Sequence, residues 1–265
     1  MKLTILGTGN AFATKCYNTC FALNEGQKVF LVDGGGGNTI LRRLEEADID
    51  WHNIHDIFVT HKHVDHILGI IWIIRIICQN MSKGKFHGSV NLYAHDEVIK
   101  ILREMCGNLL QPKQTKFFDD RFNFVEVKDG DCADIIGHKV TFFDIASTKA
   151  KQFGFSMELD DGKLTCCGDE PYNPCEEKYA KGSKWLMHEA FCLYSEADIY
   201  EPYEKHHSTV MDGAKLAEEL GVENLILYHT EDDNILNRKK LYTEEGKAYF
   251  KGNIFVPEDL ESFLL

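Results

Sequence analysis

Proline is scarce in this chain, five in 265 residues, and no tract rich in proline, glycine and serine interrupts it. No internal repeat or low-complexity segment is present either, so residues 1–265 read as one continuous domain. Basic residues are in deficit: 29 Lys and Arg against 42 Asp and Glu leave a formal net charge of −13. Such a surface repels a phosphate backbone, which excludes a generic nucleic-acid coat protein. Any acidic substrate must be drawn in locally, by a cation or a small basic patch. The nine cysteines include no CxxC pair, against a zinc finger or a thioredoxin-type motif, and an odd number suits no small disulfide framework. Free thiols in a cytoplasmic protein are the expectation. Met1 to Gly7 lacks the basic region, apolar stretch and cleavage site of a secretory signal. The most apolar run, Ile67 to Cys78, is short for a bilayer and carries Arg75, so it reads as a buried helix.

What the chain does have is a series of short apolar runs bounded by turn residues. Leu3 to Leu6, Val29 to Val32, Asp56 to Val59, Val90 to Tyr93, Val140 to Phe143 and Phe153 to Glu158 have the length of buried strands. Lys163 to Cys167, Trp185 to Met187 and Leu225 to Tyr228 continue the series. Between them lie helical patterns. Glu97 to Cys106 places Val98, Ile99, Ile101, Leu102 and Met105 on a helical face, and Thr209 caps a helix that Gly221 ends. Strands clustered early and helices mixed in later predict an α+β or mixed α/β class.

The chemistry is concentrated in Thr60-His61-Lys62-His63-Val64-Asp65-His66, directly after a strand. Neutral imidazole nitrogens and carboxylate oxygens are the donors that borderline cations such as zinc prefer. In a turn leaving a strand, His61 and His63 can converge on one ion, while Asp65 and His66, opening the next helix, can converge on a second. Three later strands also end in possible ligands: one delivers Asp169, one His188 and Glu189, and one His229. Asp169 and His229 are the candidates to complete a two-metal site, and a carboxylate has two oxygens with which to bridge.

His61-Lys62-His63-Val64-Asp65-His66 is similar to the HxHxDH motif of the metallo-β-lactamase superfamily, and within it the chain most resembles ribonuclease Z. The glycine-rich turn after Leu31-Val32-Asp33, the pair Gly168-Asp169, the His188-Glu189-Ala190 segment, His207-Ser208-Thr209 and Leu225 to Thr230 fall in the order of that family. The resemblance implies an αβ/βα four-layer sandwich, two mixed sheets with helices outside and metals at one edge. It also implies a metal-dependent hydrolase, of phosphodiesterase or nuclease type, holding two divalent ions: zinc, with manganese or iron also suited to the ligands. By position, His61 and His63 bind the first ion, Asp65, His66 and His229 the second, and Asp169 bridges. A hydroxide between the ions is then the nucleophile, with His207 as proton donor to the leaving oxygen and Glu189 orienting it. His206 has no counterpart. A homodimer would follow the family's habit.

Two departures stand out. Where the family carries a further metal-binding histidine, six residues ahead of a Gly-aromatic pair, this chain has Thr148, with Ser147 beside it. A hydroxyl is a poor zinc ligand, so the first ion is expected to be weakly held or completed by water, unless His188 substitutes. Second, only about twenty residues separate Thr148 from Asp169, room for one hairpin and not for the long basic arm of bacterial ribonuclease Z. Arg42-Arg43 and Lys113 to Lys116 are the remaining candidates for a local basic patch. The substrate expected is a phosphodiester smaller than transfer RNA, or an RNA not identified by the sequence. The alternatives are hydrolysis of a thioester, lactone or lactam by the same chemistry, and a non-catalytic metal- or ligand-binding relative.

Overall fold

The runs bounded by turn residues become strands in a computed structural model that describes residues 1–265. In chain order they are β1 (Lys2–Gly7), β2 (Cys20–Glu25), β3 (Lys28–Val32), β4 (Ile54–Phe58), β5 (Val90–Ala94), β6 (Phe122–Glu126) and β7 (Cys132–Ile135). There follow β8 (His138–Asp144), β9 (Phe153–Leu159), β10 (Gly162–Cys166), β11 (Trp185–Glu189), β12 (Asn224–Tyr228), β13 (Asn253–Phe255) and β14 (Ser262–Leu264). The helices are α1 (Thr39–Glu46), α2 (Val64–Ser82), α3 (Asp96–Leu109) and α4 (Pro112–Thr115), then α5 (Glu177–Ala180), α6 (Ala197–Tyr200), α7 (Val210–Glu219) and α8 (Arg238–Gly246).

Two seven-stranded sheets result, ordered β14-β1-β2-β3-β4-β5-β6 and β13-β12-β11-β10-β9-β8-β7. Each repeats one plan. In the first, β1, β2 and β3 pair antiparallel and β3 to β6 pair parallel. In the second, β7 to β10 pair antiparallel and β10 to β13 parallel. Parallel neighbours need a crossover, and helices supply it on the outer faces.

The sheets pack face to face because alternate residues of each point inward. Leu3, Ile5, Phe21, Leu23, Phe30, Val32 and Phe58 of the first sheet meet Phe142, Phe155, Met157, Leu164, Met187 and Ile226 of the second in one buried cluster. Phe58 anchors it, 5.0 Å from Phe142 and edge-on to Phe155 at 5.8 Å between ring centroids. A second cluster lies between the first sheet and α1, α2 and α3, and a third between the second sheet and α7 and α8. This is the αβ/βα sandwich that the motif order implies.

Helix α2 runs longer than the apolar run that announces it, 19 residues rather than Ile67 to Cys78. By length and composition alone it could cross a membrane, yet most of its apolar side chains are buried in the core against the first sheet, with Val64 and Trp72 left exposed. All nine cysteines are free. Arg42 and Arg43 form no open patch, since both pair with Glu46 and Arg43 also with Asp259.

Candidate metal centre

The candidate metal-ligating side chains stand at the carboxyl ends of parallel strands, where the two sheets open. The chain leaves β4 through Val59 and Thr60 into His61, and His63 is the cap of α2. Asp65 and His66 therefore lie in the first turn of that helix, where its positive end favours a carboxylate. A close approach fixes the helix. A Cβ on Gly69 would fall 1.7 Å from the Gly34 carbonyl oxygen, and one on Gly34 2.5 Å from the Ile70 nitrogen. Only glycines allow the turn after β3 to lie flat on α2, with Gly34 N–H donating to the His66 carbonyl at 2.9 Å.

That turn delivers Asp33, which the sequence marks only as a turn residue and which proves central. Its carboxylate accepts from Thr60 N at 2.9 Å, Thr60 Oγ1 at 2.7 Å and His66 Nδ1 at 2.7 Å. In its neutral form His66 then presents an unprotonated Nε2 on its other side. Thr60 Oγ1, having given its proton to Asp33, accepts from His61 Nδ1 at 2.9 Å, so His61 too offers Nε2. One carboxylate thus sets the tautomer of two imidazoles, an arrangement that orients metal-binding histidines.

Three groups of donor atoms form, each with its members within 4.8 Å of one another: Glu189, His207 and His229, and the two expected clusters, His61, His63 and Asp169, and Asp65, His66 and His229. Asp169 touches both expected clusters. Its Oδ2 lies 3.6 Å from His61 Nε2 and 3.2 Å from the Nε2 atoms of His66 and His229. Asp65 Oδ2 stands 3.4 Å from His66 Nε2 and 3.6 Å from His229 Nε2. His66 Nε2 and both ring nitrogens of His229 are buried and without a hydrogen-bond partner. Orphaned lone pairs facing carboxylates in a dry site are costly, and a divalent cation is the group that satisfies them together. The residues present fit two such ions.

Against its own burial, Asp65, Asp33 and Asp169 raise the proton affinity of His66 well above the ordinary imidazole value, the pull that a bound cation would answer in place of the proton. Burial lowers the proton affinity of His61 well below the ordinary imidazole value. Burial alone would raise Asp169, but His61, His229 and His66 around it hold its carboxyl well below the usual range. Asp65 behaves likewise, pulled down by His66 and His229 against its own burial. Both carboxylates are therefore ionised without any acid–base adjustment when a cation arrives.

His207 and Glu189 flank the second cluster. The His207 ring stacks on Phe191 with centroids 4.8 Å apart and lies 5.3 Å from the His229 ring. Its Nδ1 is 3.6 Å from Glu189 Oε2, and Glu189 raises its proton affinity against the opposing effect of burial. The other Glu189 oxygen accepts from the Ser208 backbone N–H. Thr209 then caps α7 in a reciprocal bond with Asp212, which fixes where His207 and Ser208 leave the helix.

The loop expected to carry the missing imidazole behaves differently from its spacing. Thr148 is exposed and its hydroxyl meets His206 Nδ1 at 3.1 Å, while Ser147 donates to Glu170 at 2.7 Å. The side chain that fills the wall of the first cluster is Gln152, which no motif marks. Its amide donates to Asp169 Oδ1 and lies 3.0 Å from His61 Nδ1. Nor does His188 substitute. Strand alternation sends His188 with Leu186 toward α7, where its Nδ1 donates to the Glu189 carbonyl, while Glu189 follows Met187 to the other face.

The clusters floor a cavity of about 630 Å³ walled by Asn10, Phe12, Lys62, Lys149, Glu170, Phe191, Lys205 and His207. Two His/Asp clusters sharing a carboxylate at the mouth of an αβ/βα sandwich define a metal-dependent hydrolase of the metallo-β-lactamase superfamily, of the ribonuclease Z-like phosphodiesterase type. Residues 1–250 match the family model described as anti-Pycsar protein Apyc1, and the chain belongs to that family. It is similar to ribonuclease Z of Ligilactobacillus salivarius, with 25% identity across 99% of this chain and 96% of that protein. Among solved structures it resembles the metallo-β-lactamase fold protein YhfI of Bacillus subtilis, with a TM-score of 0.81, 16% identity and coverage of 99% and 98%. Human tRNase Z, short form, follows the same fold at TM-score 0.76, 18% identity and coverage of 100% and 99%.

Proposed function

We propose that the chain is a two-zinc phosphodiesterase acting on small phosphodiesters rather than on folded RNA. The observation that carries the reading is the single cavity, of a volume suited to a small molecule, in which both donor clusters and the His207–Glu189 pair face the same space. His61, His63 and Asp169 would hold one ion and Asp65, His66, His229 and Asp169 the other. Bound there, the ions supply an acidified water and positive charge beside the phosphoryl oxygens. The protein's own groups do the rest. Asp33 and Thr60 keep the imidazoles in their binding tautomers, and Gln152 holds Asp169 from behind. His207, its proton affinity raised by Glu189, delivers a proton to the departing oxygen.

Between Thr148 and Asp169 the chain forms only the β9–β10 hairpin, with no extension to grip a large substrate. A cytoplasmic location, for which the free thiols speak, and a homodimer belong to the same proposal. So does an anti-Pycsar role, which the family's name gives to its namesake. The test is a metal count on protein purified without chelator, followed by assay on bis-p-nitrophenyl phosphate and on a thioester. Two ions per chain with turnover of the phosphodiester alone is the expected result, and preferential thioester cleavage would overturn it.

A further inference from the structure

Three lysines reach the cavity, and their partners differ. Lys62 is neutralised by Glu97 at 2.9 Å, and its neighbour outside the cavity, Lys151, by Asp96 at 2.6 Å. Lys149 and Lys205 have no carboxylate. Lys149 Nζ donates to the Lys205 carbonyl, and Lys205 Nζ to the Tyr200 carbonyl at 2.6 Å. In a chain of net charge −13, two uncompensated ammonium groups beside one metal centre call for an explanation. Lys149 and Lys205 line the same cavity as His63, Asp169 and His207. The loops of the two lysines are also tied together, since Thr148 meets His206 at 3.1 Å beside the Lys149–Lys205 contact. His206, which the ribonuclease Z pattern does not account for, thus has a place as half of a latch.

We propose that Lys149 and Lys205, latched by Thr148 and His206, form an anion clamp that grips the non-bridging oxygens of the substrate's phosphodiester above the metal clusters. The inference rests on the phosphodiesterase reading and identifies how an acidic protein draws in an anion. The clamp stands on the loop where the resemblance leads one to expect a further metal-binding imidazole.

The test uses the metal-loaded full chain, bis-p-nitrophenyl phosphate as substrate, and inorganic phosphate as competitive inhibitor and as calorimetric ligand. A charge-assisted hydrogen bond at a half-open site corresponds to about tenfold in affinity. Lys149→Met and Lys205→Met should each raise KM and the phosphate inhibition constant about tenfold, with kcat changed less than about threefold, the mark of binding shared by ground and transition state. Lys149→Arg should keep most of the affinity, and Lys151→Met, which removes the same charge nearby, should stay within about twofold of the parent. Metal content should not move in any of them. Phosphate affinity unchanged in both methionine variants, or falling only in step with metal content, would overturn the clamp. If the parent protein binds phosphate through Lys149 yet turns over no phosphodiester, the phosphodiesterase reading fails and the clamp stands.

Discussion

Asp65 concentrates the argument at the scale of single residues. Its carboxylate faces His66 and His229, is held ionised by them, and has little share in any apolar cluster. Asp65→Ala should therefore empty the second cluster and abolish turnover of bis-p-nitrophenyl phosphate while circular dichroism stays native, and wild-type turnover in the variant would place the chemistry elsewhere. The positions that converge on the candidate centre were legible in the sequence because metal chemistry favours His and Asp gathered at strand ends. The groups that hold them were not. Asp33 looks like any Asp-Gly turn, and Gln152 like a polar residue before a strand, until the fold sets them against His66, Thr60 and Asp169. Counting back from Gly154 leads to Thr148, which faces His206 instead. Residues that orient a ligand typically contribute about 10–100-fold to metal affinity. Gln152→Ala should weaken metal binding within that range, and Thr148→Ala should leave it unchanged, as measured by competition with a chromophoric chelator.

At the scale of elements, the sequence reading succeeded where a segment carries its own signal. β9 and β10 form the one hairpin for which the spacing leaves room, and α7 starts at its Thr209 cap. It missed β2, β6, β7, β13 and β14, most of them short strands toward the sheet edges whose side chains are half polar, because pairing partners far along the chain define them. The turn at Pro174–Glu176 behind the Asp169 loop yields a separate prediction. Glu176 Oε1 accepts from Asn173 N at 2.7 Å, but Oε2 is buried and unpartnered, and burial pushes the carboxyl up to about 8. From its ordinary 4.5 up to about 8, the folded chain keeps a proton that the unfolded chain has released. Stability from this group is thus complete below 4.5 and lost as pH rises through 8. Glu176→Gln keeps a neutral side chain at every pH. Its stability relative to wild type should rise between pH 5 and 9 by an amount on the order of 3 kcal/mol, read as diverging thermal midpoints. Parallel midpoint curves would show that Glu176 is ionised in the folded protein.

The whole molecule is two copies of one plan, four antiparallel strands running into parallel ones, packed so that the carboxyl ends of β4, β10, β11 and β12 open on one side. Motif order made that architecture legible as a family likeness, but not the pairing itself, since the parallel register of β3 on β4 depends on α1 folding between them. The global features also bear on the proposed scale of the substrate. A folded RNA is held by many phosphate contacts, each needing an available cation. Here the net charge is −13, Arg42 and Arg43 are paired, and the unpaired lysines at the cavity are two, Lys149 and Lys205. Two cations suit the proposed small phosphodiester in a cavity of about 630 Å³ better than a duplex stem with its many phosphates. At physiological ionic strength the metal-loaded protein should hydrolyse bis-p-nitrophenyl phosphate yet neither bind nor cleave precursor transfer RNA in gel-shift and cleavage assays. Raising the salt should weaken the small substrate's KM only modestly, because few counterions are displaced when one charge is bound. Cleavage of the precursor with a kcat/KM above that of the small diester, together with the steep salt dependence of a multi-phosphate contact, would show that another surface, such as Lys113 to Lys116, recruits RNA.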